Sequence, residues 1–226
     1  MAGTPIHSAE EAIRELIFNV PSTDLLFNQY RDAWQDVDSQ KAPIIRQNNL
    51  ILYVLSVIKS AEVLAVGEAA GPWGCRFSGI AFVGERQLVQ ASLPFTGQRS
   101  SCAEPKLTKR RKAPFVSASS TMFWKVLRQY HPRFLVWDAI PLHPHLPNDR
   151  LSVRTPTDSE LHQFLPALDA IISIVKPKKI LGVGNSAYNS LLKVGHKSFR
   201  VRHPANGGFP EFAAGMALAF SVGKRS

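Results

Sequence analysis

Residues 63–66, Val-Leu-Ala-Val, stand in an unbroken apolar row with no polar alternation. A strand that reads this way is covered on both faces, the habit of a parallel strand inside an α/β sheet. Gly67 closes the run and GEAAGPWG follows, with glycine at 67, 71, 74 and 79. Glycine lets the backbone turn sharply and approach a ligand closely. The pattern recurs. Residues 134–137 are apolar and end at Asp138; residues 180–183 end at GNSA; residues 199–202 end at His203. Ligands of open α/β sheets bind outside the carboxyl ends of the strands. The loop after Gly67 therefore reads as the floor of a pocket.

Helical periodicity surrounds these runs. Ser8 and Glu11 form a capping-box pattern ahead of Ile13, Leu16 and Ile17, and Pro21 ends that helix. Ser22 or Asp24 caps a second, with Leu26, Tyr30 and Trp34 four apart. A third, over about 42–60, carries Ile44, Ile45, Ile51, Leu52, Val54, Leu55 and Ile58, an apolar surface broad enough to predict deep burial. Further helices are predicted over about 119–130, from a Thr157/Glu160 capping box with Pro166 bending it, after Gly184 as far as Leu192, and over about 210–222. The chain reads as one domain over 1–226, with a helical lead-in at 1–60.

Charge narrows the partners. The 226 residues carry a formal net charge of +10, which suits a polyanion, nucleic acid being the commonest. Cys75 and Cys102 lie far apart without CxxC spacing, against zinc or an iron–sulfur cluster and in favour of a reducing cytosol. The N-terminus lacks a basic region followed by an apolar core, so no secretory signal is predicted. Residues 50–66 contain Lys59 and Glu62, so no membrane span is predicted there. Residues 93–118 lose periodicity and hold Lys106, Lys109, Arg110, Arg111 and Lys112, either a phosphate-contacting arm or a solvated charge run. Gly184, Asn185 and Ser186, at a helix start, hold an anion or simply cap the helix. His143 and His145 have HxH spacing but no accompanying ligand cluster, which favours a structural or phosphate-facing role.

Glu68, Asp138 and His203 each follow a predicted strand, so a parallel sheet brings them to one edge. With the aromatic Phe82 they form a plausible catalytic group. Taken singly, each has a structural explanation: a cap, a turn-holder, a satisfied histidine, a core ring.

GEAAGPWGCRFSGIAF, VWDAIPLHPH and VRHPANGGF resemble, in order, the three motif regions of the uracil-DNA glycosylase superfamily, over roughly 63–220. The nearest likeness is to bacterial branches with a GE-type first motif and no iron–sulfur cluster. The resemblance implies a three-layer α/β/α fold around a four-stranded parallel sheet. It implies a monofunctional glycosylase that hydrolyses the N-glycosidic bond of uracil, or of hypoxanthine or xanthine, in DNA as the start of base excision repair. Glu68 and His203 match catalytic positions; Gly67, Phe82 and Asp138 match base-binding ones. Asn206, Gly207, Phe209, Ser186, Lys109, Arg110 and Arg111 are expected at the DNA, with Asn206 or Phe209 as the wedge. No metal or cofactor is expected, no lyase step, and a monomer at the bacterial nucleoid. The chain also departs from the family. Asp138 stands where many members have Asn, which predicts altered base choice, since an ionised carboxylate only accepts hydrogen bonds. Ala69 stands where a well-known branch has its water-activating Asp, and Ala70 replaces a usual proline. Two rival readings are a nucleoside hydrolase and a catalytically silent nucleic-acid-binding relative.

Overall fold

The structure, a computed structural model, describes residues 5–103, 111–193 and 195–221. Helix α1 (Pro5–Ile13) continues through a wider turn, Arg14–Phe18, to a two-residue strand β1 (Leu26–Phe27). Helix α2 (Ala42–Val57) leads into strand β2 (Val63–Ala69). Two short helices follow, α3 (Cys75–Ser78) and α4 (Glu85–Val89), then α5 (Ala118–Leu127). Strand β3 (Phe134–Ile140) is trailed by the two-residue β4 (His143–Pro144). The chain closes with α6 (Asp158–Val175), β5 (Lys179–Val183), α7 (Asn185–Lys193), β6 (Phe199–Val201) and α8 (Phe209–Phe220).

The main sheet has the order β3-β2-β5-β6 with every neighbouring pair parallel. The runs Val63–Val66 and Ile180–Val183 of its two central strands hold no polar side chain because helices cover both faces in an α/β/α arrangement. Helix α2 packs on β3, α6 on β3 and α1, α7 on β5 and β2, and α8 on β6 and α5. Leu64, Ala65, Val66, Phe134, Leu135 and Leu168 are shut away from solvent. Helix α6 starts as its sequence predicts: the Thr157 hydroxyl accepts from the Glu160 amide at 3.2 Å, and the Glu160 carboxylate accepts from the Thr157 amide at 2.8 Å. No helix among the described residues is long and apolar enough to cross a membrane.

Several expectations are corrected. The second predicted helix does not form. Leu26 and Phe27 instead pair antiparallel with Pro144 and His143. The Asn28 amide donates to the carbonyls of Ile17 and Val20 at 2.8 and 2.6 Å, and the Ser22 hydroxyl takes the Asn28 N–H at 2.7 Å. Side chains that bond the backbone in this way compete with helix hydrogen bonds. Ser8 lies inside α1, which begins three residues earlier at Pro5, a residue suited to a first turn. Helix α2 is less deep than its composition suggests, with Ile44 and Leu52 61% and 62% exposed. Strands β2 and β3 run past Glu68 and Asp138, which therefore lie within strands, while β6 stops at Val201. The short helices α3 and α4 were not anticipated.

A buried ion network fastens the basic segment. Asp38 lies between the guanidinium groups of Arg46 and Arg76, all without solvent-exposed side-chain surface. Arg76 reaches the two Asp38 oxygens at 2.7 and 3.0 Å. Arg46 also donates to the Ser100 hydroxyl at 2.9 Å. Glu85, fully buried, accepts from the amides of Ser100 and Ser101 at 3.1 Å each and of Phe115 at 2.9 Å. Both ends of the basic segment thus hang on one carboxylate. Lys106, Lys109 and Arg110 lie outside the described residues.

Candidate active site

The site is built on the register of two strands. Gly67 of β2 sits opposite Asp138 of β3. A Cβ on Gly67 would lie 2.4 Å from Asp138 Oδ1 and 2.7 Å from the Phe82 ring. Only glycine lets a carboxyl and a phenyl ring close over the strand together. Phe82 pays for this place with a backbone φ of +54°, the left-handed region that a bulky residue rarely enters. Its ring stacks on Phe123, centroids 4.4 Å apart and planes 12° from parallel. The His203 ring lies 6.1 Å away. Strain of this kind persists where surrounding packing overdetermines it, and it clusters at functional sites.

These groups open on a cavity of about 490 Å³ whose walls include Glu68, Trp73, Phe82, Asp138, Ser186 and His203. Asp138 is only 5% exposed. Burial raises its carboxyl from the ordinary aspartate value to about 7; the Cys75 thiol, donating to it, opposes that rise, and the Glu68 charge adds to it. Asp138 Oδ2 has no hydrogen-bond partner among the described residues. That oxygen is therefore free to bond a group that enters the cavity, which Asp138 lines.

His203 is set by its own loop. Its Nδ1 accepts the Ala205 amide at 3.2 Å, which leaves the proton of the neutral ring on Nε2. Burial, helped by the Arg202 charge, lowers its pKa, so the ring is neutral at pH 7. Glu68 is partly exposed and borders both the cavity and a side hollow of about 200 Å³. In that hollow Lys193 pairs with Asp158 at 2.5 Å.

A carboxyl, a stacking ring, a neutral imidazole donor and a second carboxylate thus face one cavity at the carboxyl edge of a parallel sheet. The family model described as the uracil DNA glycosylase superfamily matches residues 56–217. The chain belongs to the uracil DNA glycosylase superfamily. Like its superfamily it is a DNA glycosylase, a hydrolase of N-glycosyl bonds, with DNA as its partner. Among solved structures it is similar to wild-type Pedobacter heparinus SMUG2, at a TM-score of 0.53 and 13% identity, over 94% of this chain and 99% of that one. At that identity the likeness speaks to the fold. No curated protein matches the chain.

Within this glycosylase fold, Glu68, Phe82, Asp138, Ser186, His203 and Asn206 all line the one cavity, with Gly67 under Asp138 and Phe82. Asn206 and Gly207 are exposed and take left-handed conformations, φ +54° and +77°. Phe209 opens α8, packs half-buried against the main core and lies under the Lys125 ammonium at 5.5 Å. Of the basic cluster, Arg111 lies over the ring of Trp73, 4.6 Å from its centroid, and Trp73 borders the cavity. Lys109 and Arg110 fall outside the described residues. His143 gives Nδ1 to the Ala70 carbonyl at 2.7 Å, and the His145 Nδ1 lies 2.9 Å from the Leu146 carbonyl, so both rings are tied to backbone. The sequence reading overlooked Trp73, Cys75, Ser117, Ser120 and Val153 as cavity residues. Trp73 and Cys75 sat inside the quoted first motif. The serines and Val153 come from other segments and carry no local signal.

Proposed function

We propose that this glycosylase releases uracil from DNA, together with hypoxanthine and xanthine, and leaves an abasic site. The observation that carries the reading is Asp138: a buried carboxyl held near neutrality with Oδ2 unpaired. Protonated, it both donates and accepts. It then takes the N3–H of uracil and donates to O4, as an amide would. Hypoxanthine and xanthine present the same N–H and C=O pair, and a cavity of about 490 Å³ falls within the range that encloses small ligands.

The target nucleotide must leave the base stack to reach this depth. Phe82, pre-stacked on Phe123, offers its face to the flipped base, and such stacking is worth about 1–3 kcal/mol. As the C1′–N bond breaks, its electron pair goes to the base. The His203 Nε2–H stabilises the negative charge that collects on the uracil O2. Glu68 stabilises the cationic sugar and orients water, whose oxygen bonds C1′ while its proton passes to the carboxylate. The net charge of +10 and Arg111 at the rim favour a polymer over a free nucleoside. The enzyme is read as a monomer working at the bacterial nucleoid.

The test is incubation with single- and double-stranded DNA carrying uracil, hypoxanthine or xanthine, followed by alkaline cleavage. Excision of none of the three would refute the proposal; cleavage of nucleosides alone would replace it with the nucleoside hydrolase. Two sharper outcomes follow. The donor to O4 exists only while Asp138 is protonated, and that form is lost as pH rises through about 7. Uracil kcat/KM should therefore fall about tenfold per pH unit above that point, and Asp138→Asn should remove this alkaline limb. Gly67→Ala would push Asp138 and Phe82 off their positions, and misplacement of this size costs about 10²-fold in rate. Single-turnover kinetics beside an unchanged circular-dichroism spectrum would check it.

A further inference from the structure

The cavity mouth has one apolar tooth. Of the described residues that wall the cavity, Gly71, Val153, Asn185, Ser186, Arg202 and Asn206 are exposed, and Val153 alone among them carries an apolar side chain. Val153 is 68% exposed. It belongs to the connection between β4 and α6, not to the stretch after His203 in which the sequence places the wedge at Asn206 or Phe209.

Its backbone is held from both sides. Next to it, the Ser152 hydroxyl donates to the Asp149 carbonyl at 2.6 Å and accepts the Leu146 amide at 2.8 Å. On the other side, Arg154 forms a two-pronged ion pair with Glu160 and donates to the carbonyls of His145 and Leu25 at 3.0 and 2.7 Å. A β-branched side chain adds its own stiffness at χ1. The result is a solvent-facing hydrophobe, held on both sides by its neighbours' hydrogen bonds, at the entrance to a base pocket. Ordering it on DNA costs little, because it is ordered already. Apolar wedges between base steps are a recurrent way to unstack a duplex.

We propose that Val153 is a DNA-intercalating residue that enters the stack beside the extruded nucleotide and makes duplex DNA a competent substrate. The inference rests on the glycosylase reading above. A wedge matters where a stack must be opened and little where there is none. Val153→Ala should slow single-turnover excision from a U·A duplex by about tenfold or more, and from a single strand by less than about threefold. Val153→Ile should restore duplex excision to within about threefold of the parent enzyme. A second arm does not depend on which base is cut: a duplex with a tetrahydrofuran abasic analogue beside 2-aminopurine. Saturating parent protein should raise the fluorescence as the stack opens, and Val153→Ala should lose at least about half of that rise.

Equal slowing on duplex and single strand, no slowing on either, or an unchanged fluorescence rise would overturn the proposal. Should the parent protein excise no base at all, the proposed function would fall, and the fluorescence arm would still decide the fate of the wedge.

Discussion

Replacing His203 with alanine is expected to lower kcat/KM on uracil-containing DNA by about 10²–10³-fold, the usual cost of one donor to a developing oxyanion. The geometry explains the size. The Ala205 amide occupies Nδ1, so the ring has one tautomer and its only N–H is at Nε2. Burial keeps the ring neutral, which suits a donor that must not release its proton to the leaving base. The half-buried setting strengthens the hydrogen bond relative to water. His203→Gln, which keeps an N–H donor, should recover part of the loss. Single-turnover excision measured beside DNA affinity will separate the cases: a fall in rate with affinity within a few-fold supports the role, and a loss below tenfold would remove it.

Asp38→Ala should destabilise the protein by about 3–5 kcal/mol, the cost of stripping a buried charge of its partner. Two guanidinium groups share this one carboxylate, and neither Arg46 nor Arg76 exposes side-chain surface. Glu85 lies close enough to act on Arg46 but spends its oxygens on the amides of Ser100, Ser101 and Phe115. A domain is stable by about 5–15 kcal/mol in all, so the variant would lose a large share. Urea denaturation would read the change in midpoint. The pH dependence has a definite sign. Burial alone would raise the Asp38 carboxyl, but the charges of Arg46 and Arg76 overcome it and hold it below the ordinary value. This stabilisation is therefore in place above the unfolded pKa and drains away as pH falls through the lower folded one. The loss of Asp38 should also reach the active site, since Arg76 lies in α3, between Gly67 and Phe82, and its ring contacts are Phe27 and Phe77.

The strands and the order of the motifs were legible because both are local. An unbroken apolar run reads as a doubly covered strand wherever it lies, and GEAAGPWG, VWDAIPLHPH and VRHPANGG each sit on contiguous residues. The same reading erred where a local pattern met a distant partner. Leu26, Tyr30 and Trp34 have helical spacing, but Asn28 and Ser22 capture the backbone and β4 pairs with β1.

By itself, then, the sequence determined the parallel sheet, the capping of α6, and the residue types Glu68, Phe82, Asp138 and His203 at the ends of apolar runs. Tertiary structure alone decided what those types can do. The Asp138 carboxyl rises to about 7 only because it is buried, and burial depends on residues scattered across the chain. Gly67 matters because register sets it opposite Asp138 and under Phe82. Val153 reaches the cavity mouth because Arg154 and Ser152 anchor its loop to residues up to 129 positions away in the chain. Such properties belong to separations in space, and pKa, clash and exposure all change within a few ångströms that no one-dimensional pattern records.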